Sequence, residues 1–153
     1  MKALELKIPP ALLMLIFGFL MWAIDQLLPM YKQVWTWHEW AARSVFLLAL
    51  FFIVSGIVSF NKARTTVDPT QPQKASSVVT SGIYRLSRNP MYLGFLLMLL
   101  AFVFKLANPV TVVMLPLFIG YMNQFQIKPE ERALTQLFGV EYVNYQQKVR
   151  RWL

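Results

Sequence analysis

The chain has no cysteine and a single histidine, His38, in 153 residues. Without cysteine there are no disulfides, no thiolate metal ligands and no thiol nucleophile. With one imidazole, a metal site built on two or more histidines is excluded, as is a Ser-His pair anywhere but beside His38. Charge is scarce as well: Asp, Glu, Lys and Arg make up 14% of the chain, against about 25% in an average soluble domain. Acids are the scarcer kind, 7 against 15 Lys and Arg, which leaves a formal net charge of +8. Glycine, at 6 residues, forms no G-x-G-x-x-G loop. No alternation of strand and helix patterns is present either, so a nucleotide-binding Rossmann unit is excluded.

What the chain has in abundance is apolar surface. Hydrophobic residues make up 57% of it, which rules out disorder and argues for a membrane protein over an ordinary soluble globule. Four runs approach the roughly 20 apolar residues that cross a bilayer: 8–28, 41–60, 91–107 and 109–125. The first contains Asp25; it is too long for a signal-peptide core, and no small-residue cleavage site follows it. Asn108 and its neighbours separate the last two runs, which predicts a tight antiparallel hairpin. Pro116 predicts a kink in the fourth. The expected fold is all-α: a polytopic membrane helical bundle of about four transmembrane helices with an amphipathic C-terminal segment. Residues 1–153 then form a single integral membrane domain, with a loop at 61–90 and a tail at 126–153.

The basic residues orient the spans. Lys32, Arg43 and Lys105 fall on one side. Lys2, Lys7, Lys62, Arg64, Lys74, Arg85, Arg88, Lys128, Arg132, Lys148, Arg150 and Arg151 fall on the side that carries both termini. The positive-inside rule makes that second side cytosolic. The positive charge thus reads as topology and needs no nucleic acid to explain it. Trp35, Trp37 and Trp40 form an aromatic belt at the opposite interface, with His38 and Glu39 inside it. His38 reads better as a solvated interfacial residue than as a ligand. Asp25, near the outer end of the first span, reads equally as a functional intramembrane acid or as a hydrated, snorkelling one.

Two polar blocks lie on the cytosolic face. The first follows Pro69, Pro72 and a Ser/Thr-rich stretch at 75–81 and ends in Gly82, Tyr84, Arg85, Arg88, Asn89, Pro90, Tyr92, Leu93 and Gly94. Asn89 suits an N-cap and Pro90 the first helical position. The helix N-terminus they start, with Arg85 and Arg88, suits a carboxylate or a phosphate, and equally lipid headgroups. The second block opens with Pro129, Glu130 and Glu131. It continues with Leu134, Leu137, Phe138, Tyr142, Tyr145, Val149 and Trp152 at helical spacing. Acids in a first helical turn complement its dipole, which is a sufficient structural account of the two glutamates. Gly139 predicts a break in this amphipathic tail, which either lies on the membrane surface or folds back over the bundle.

The two blocks together resemble the isoprenylcysteine carboxyl methyltransferase / phospholipid methyltransferase family. The matching pattern is G-x-Y-x-x-x-R-[HN]-P-x-Y-x-G, a hydrophobic hairpin, then E-E-x-x-L-x-x-x-F-G-x-E-Y-x-x-Y. It falls on Gly82, Tyr84, Arg88, Asn89, Pro90, Tyr92 and Gly94, then on Glu130, Glu131, Leu134, Phe138, Gly139, Glu141, Tyr142 and Tyr145. The stretch 66–72 also looks like that of small bacterial members. The resemblance covers about residues 61–153.

The resemblance implies methyl transfer from S-adenosylmethionine, with S-adenosylhomocysteine as product, to a lipophilic or lipid substrate that arrives from the bilayer. It implies that Glu130 and Glu131 bind the donor's amino or ribose groups, and that Arg88, Asn89 and first-turn amides hold its carboxylate. Tyr92 and Leu93 would wall the adenosine, Gly94 would permit close helix approach, and Tyr84 would border the cofactor. Tyr145 and Arg150 or Arg151 would close the pocket or touch the acceptor. Arg88, Asn89, Glu131 and Arg151 are the residues expected at the reacting groups. Many relatives carry His where this chain has Asn89, and an amide cannot act as a general base. A carboxylate acceptor, already ionised at neutral pH, needs none, so O-methylation is favoured. The alternatives are phospholipid N-methylation, an NADPH-dependent membrane reductase of the sterol reductase type, and a non-catalytic membrane scaffold. No metal is expected, and the sequence specifies no oligomeric state.

Overall fold

The structure is a computed structural model that describes residues 5–63 and 76–153. Lys2, Arg64 and Lys74, and the stretch 66–72, lie outside the described residues. The described residues are all-helical: α1 Pro10–Leu27, α2 His38–Lys62, α3 Pro90–Leu106, α4 Met114–Tyr121, α5 Lys128–Phe138 and α6 Val140–Lys148. Prolines open α1 and α3, where an N–H is spare, and Glu39 and Lys62 stand at the dipole-favoured ends of α2.

Pro10–Leu27, His38–Lys62 and the continuous helical stretch Pro109–Phe138 are long and apolar enough to cross a membrane. α3 is equally apolar and, with 17 residues, shorter. Leu15, Phe19, Leu47, Phe51 and Leu117 are each more than half exposed on the outer faces of these helices. Such a continuous apolar exterior is an aggregation hazard in water and the required surface in lipid.

α3 is the central post. On one side it meets α2 through a seam of small residues. A Cβ on Gly94 would lie 2.5 Å from Ile53 Cγ1 and 3.0 Å from the Ala49 carbonyl oxygen, and one on Gly56 would lie 2.5 Å from Met91 Cγ. Close backbone approach of this kind is how helices pack where lipid supplies no hydrophobic drive. On its other side α3 meets α1 and α4 around Met21, Leu99, Phe118 and Met122, all buried. Phe17 packs edge-on to Phe118 at 5.4 Å.

The far end of the bundle holds the α3–α4 turn. Ala107, at φ +50°, ends α3, and Asn108 Oδ1 accepts the Val110 N–H at 3.2 Å. Asp25 is 1% exposed there. It pairs with Lys32 Nζ at 2.8 Å and accepts Asn108 Nδ2 at 3.2 Å and Gln26 Nε2 at 3.4 Å. The reading of Asp25 as hydrated and snorkelling is therefore corrected. The connection after α1 folds back, tied by the Gln33 N–H to the Ala107 carbonyl at 2.7 Å, and brings Lys32 over the carboxylate. Trp35 and Trp37 stack at 5.2 Å on the exposed rim, and His38 Nδ1 contacts the Trp35 carbonyl.

The fourth helix also departs from its expected form. Pro116 falls in the first turn of α4, directly after the tight 3-10 turn Pro109–Val113, so its missing N–H lies where 3-10 bonding gives way to α bonding. The departure from α-helical bonding comes later, as a π-helical turn at Met122–Ile127. The helix does not stop there; it continues through α5. Pro129 has no N–H for the Phe125 carbonyl four residues earlier, and the Leu6 N–H takes that carbonyl at 3.0 Å. Gly139, at φ +54°, then turns the chain between α5 and α6.

Candidate functional site at the tail end of the bundle

The tail folds back onto the bundle. Tyr142 and Tyr145 on α6 are buried against Phe52, Tyr84 and Leu93, with Val149 and Trp152 beside them. Tyr145 Oη donates to the Tyr84 carbonyl at 2.7 Å. Burial holds the hydroxyls of Tyr142 and Tyr145 well above their ordinary pKa, so each stays a neutral donor. Tyr84 is shifted the same way, first by burial and then by the charge of Glu130, and its ring packs edge-on to Phe60 at 5.3 Å.

The last residues cross the start of α3 as a strap. The Arg88 N–H donates to the Arg150 carbonyl at 3.0 Å. Asn89 Nδ2 donates to the Arg151 carbonyl at 2.9 Å, and Ser87 Oγ reaches the same carbonyl at 3.4 Å. Trp152 Nε1 donates to Asn123 Oδ1 at 3.1 Å, on the π turn. Asn89 thus stands at the N-cap position without capping by its side chain. Its amide is committed to the strap, and Ser87 Oγ accepts the Asn89 N–H instead, at 3.1 Å.

Under the strap the charges converge on Glu131, in the first turn of α5. Arg88 Nη2 lies 2.9 Å from Oε1. Arg151 grips the same carboxylate with both edges, Nε to Oε1 at 3.1 Å and Nη2 to Oε2 at 2.7 Å. The side chains of Arg88 and Glu131 are 11% and 13% exposed. The hydrogen bond to Glu131 pushes the Arg151 guanidinium above its usual pKa. On Glu131 itself two guanidiniums meet one carboxylate, an excess of one positive charge before the neighbouring Glu130 is counted. Arg88 Nε is buried and has no partner among the described residues. A surplus positive charge with an unused donor is a place for an anion, such as a carboxylate.

Glu130 is the next residue, but successive helical side chains diverge by about 100°, and it takes different partners. Its Oε2 accepts Tyr92 Oη at 2.9 Å, and Gln126 Nε2 reaches that hydroxyl at 3.4 Å. Tyr92 stacks on Phe95 and belongs to the α1–α4 side of α3, whereas Leu93 faces Tyr84 and Tyr142. Trp152 touches both groups and joins them. Beside Glu131 a polar cleft of about 520 Å³ opens between α5 and α6, bordered by Arg132, Thr135 and Gln146.

Of the residues singled out in sequence, Arg88, Asn89, Glu131 and Arg151 meet in one cluster. Tyr92 and Glu130 form a second, and Tyr84 and Tyr145 a third that pins the tail. Gly94 lies apart, in the α2–α3 seam. Arg150 contributes its carbonyl. Ser87, Asn123 and Gln126 were not singled out. The amides Asn123 and Gln126 in an otherwise apolar helix were the available signal, since a polar side chain there needs a partner. Nothing local marks Ser87.

The phospholipid methyltransferase family profile matches residues 37–141. Protein-S-isoprenylcysteine O-methyltransferase B of Arabidopsis thaliana is 28% identical over 121 residues, 79% of this chain and 61% of that protein. Its counterpart in Saccharomyces cerevisiae, protein-S-isoprenylcysteine O-methyltransferase, is 31% identical over 80 residues, 52% of this chain and 34% of that protein. A Haemophilus influenzae protein is 51% identical over 63 residues, 41% of this chain and the whole of that protein. The chain therefore spans about three fifths of the plant relative and about one third of the yeast one. No solved structure matches it. The family profile covers most of the chain, both motif blocks included up to Glu141, and the chain belongs to the phospholipid methyltransferase family.

Proposed function

We propose that the chain is a membrane methyltransferase that takes its methyl group from S-adenosylmethionine and delivers it to the carboxylate of a lipophilic acceptor. The observation that carries this reading is the Arg88–Glu131–Arg151 cluster, in which residues of both motif blocks meet at one end of an apolar bundle. The donor carries a carboxylate, an ammonium and ribose hydroxyls, and the residues present fit them. Arg88, with its unused Nε, suits the carboxylate; Glu130 and Glu131 suit the ammonium or the ribose. Tyr84, Tyr92 and Leu93 offer apolar walls.

The donor supplies an electrophilic methyl on a sulfonium. The acceptor oxygen forms the new C–O bond as the C–S bond breaks, and the pair stays on sulfur. The chain's work is alignment and exclusion of water, worth several kcal/mol when the geometry is held. The strap of residues 149–153 supports that role, because it roofs the cluster and carries Arg151. The amide of Asn89 is held by the strap and takes no proton. This supports an acceptor that is already an anion, and so O-methylation over N-methylation. The plant and yeast relatives bear names of the same reaction type. The positive-inside count supports cytosolic termini with the site at the cytosolic ends of the helices. The likeness to a Haemophilus protein supports a bacterial source, and with it an inner-membrane location.

The test is calorimetric titration of the detergent-purified full chain with S-adenosylhomocysteine, followed by methyl incorporation from labelled donor into a prenylcysteine. Micromolar binding and a base-labile methyl product are expected. Binding of NADPH without S-adenosylhomocysteine would overturn the reading, and a base-stable product on phosphatidylethanolamine would replace O- by N-methylation.

A further inference from the structure

A second site lies at the opposite end of the bundle from Glu131. α1 and α2 each pack on α3 and scarcely on each other. They leave a lateral cleft of about 650 Å³, within the range of small-ligand sites. Its walls are apolar, from Gly18, Trp22, Phe46 and Phe102. The slot is open beside Gly18, where a Cβ would meet nothing within 4 Å.

Its mouth is charged and lies beside the tryptophan rim. Lys105 Nζ sits 2.6 Å from Glu39 Oε1, and Arg43 Nη2 lies 3.9 Å from Glu39 Oε2. Arg43 is thus only loosely held. Its side chain is 66% exposed, with the guanidinium 5.3 Å over the Trp40 ring. Two cations on one carboxylate leave one positive charge at the lip of an apolar slot.

We propose that this cleft binds one anionic phospholipid, with an acyl chain between α1 and α2 and the headgroup phosphate against Arg43 and Lys105. The charge balance selects the occupant. A phosphodiester neutralises the excess cation, whereas a zwitterionic headgroup brings a cation of its own to the same lip. The tryptophans mark the depth at which a headgroup lies. The site is separate from the Glu131 cluster and does not depend on the chemistry proposed for it.

The experiment is native mass spectrometry of the full chain in detergent with equimolar dioleoyl phosphatidylglycerol and dioleoyl phosphatidylcholine. One excess cation near the headgroup predicts about fivefold preferential retention of the anionic lipid. Arg43→Ala, an exposed substitution, brings the ratio close to one and leaves phosphatidylcholine retention unchanged. Gly18→Phe fills the slot and lowers retention of both lipids, with helicity by circular dichroism as the folding control. If Gly18→Phe does not fold, the Arg43→Ala ratio decides alone. An equal ratio in the parent chain, a preference that survives Arg43→Ala, or a dimer abolished by Gly18→Phe would each overturn the proposal, the last by assigning the cleft to a second copy.

Discussion

The two ends of the bundle each bury a carboxylate against cations, and they do so to different ends. Asp25 has one ammonium and two amides, and Asn108, which bonds it, spends its remaining capacity on the Leu28 carbonyl and the Val110 N–H. No buried side-chain atom of that cluster lacks a partner among the described residues, and Lys32 and Asn108 belong to connections. It closes the α1 end onto the α3–α4 turn. At the other end Glu131 receives two guanidiniums, a donor is left over on Arg88, and a polar cleft opens alongside. A satisfied buried cluster is a fastener; one with a surplus charge and an unspent donor is equipped to receive something. Burial of an acid alone did not separate the two.

The largest expected effect breaks that contrast at the Glu131 end. Glu131→Gln removes the charge that holds Arg88 and Arg151 together. The loss of charge-assisted bonds worth about 1.5–3 kcal/mol predicts S-adenosylhomocysteine affinity lower by roughly 10–100-fold, with helicity retained. Calorimetry reads it, and an unchanged affinity would remove Glu131 from the site.

Next comes Asn108→Ala, at the fastened end. It deprives buried Asp25 of one donor and leaves the Leu28 carbonyl and Val110 N–H without their partner, a cost of about 1–3 kcal/mol. Denaturant titration in detergent should show that loss while donor affinity stays within about twofold. A donor affinity that fell with stability would mean that the two ends are coupled.

The smallest effect sharpens the comparison by loosening only the tail. Tyr145→Phe deletes the bond to the Tyr84 carbonyl, worth about 0.5–1.5 kcal/mol, and frees α6 and the strap behind it. Donor affinity should drop about threefold, with faster proteolysis at 149–153 than in the parent chain. Equal protection would show that Arg151 and Trp152 hold the strap without Tyr145.

Much of this was legible without coordinates. The apolar runs, the proline start of α3, the turn at Asn108 and the break at Gly139 all follow from local chemistry: side-chain hydropathy, a missing N–H, a tolerated positive φ. The paired motif blocks were legible as types in a fixed order. Two readings could not be closed locally. The chemistry around Asp25 suits a functional and a hydrated acid equally, and Asn89 suits an N-cap although its side chain goes to the strap. Each outcome depended on what arrives from elsewhere.

The sequence by itself determined a helical membrane protein, because hydropathy acts within a few turns of the chain, and its paired motifs resemble the phospholipid methyltransferase family to which the chain belongs. Only the tertiary structure decided which charges meet. Asn89 and the Arg151 carbonyl are 62 positions apart, and Asp25 and Asn108 are 83 apart. A buried charge takes whichever partner the packing of α3 against α1, α2 and the returning tail brings within hydrogen-bond reach, and no local pattern encodes that distance.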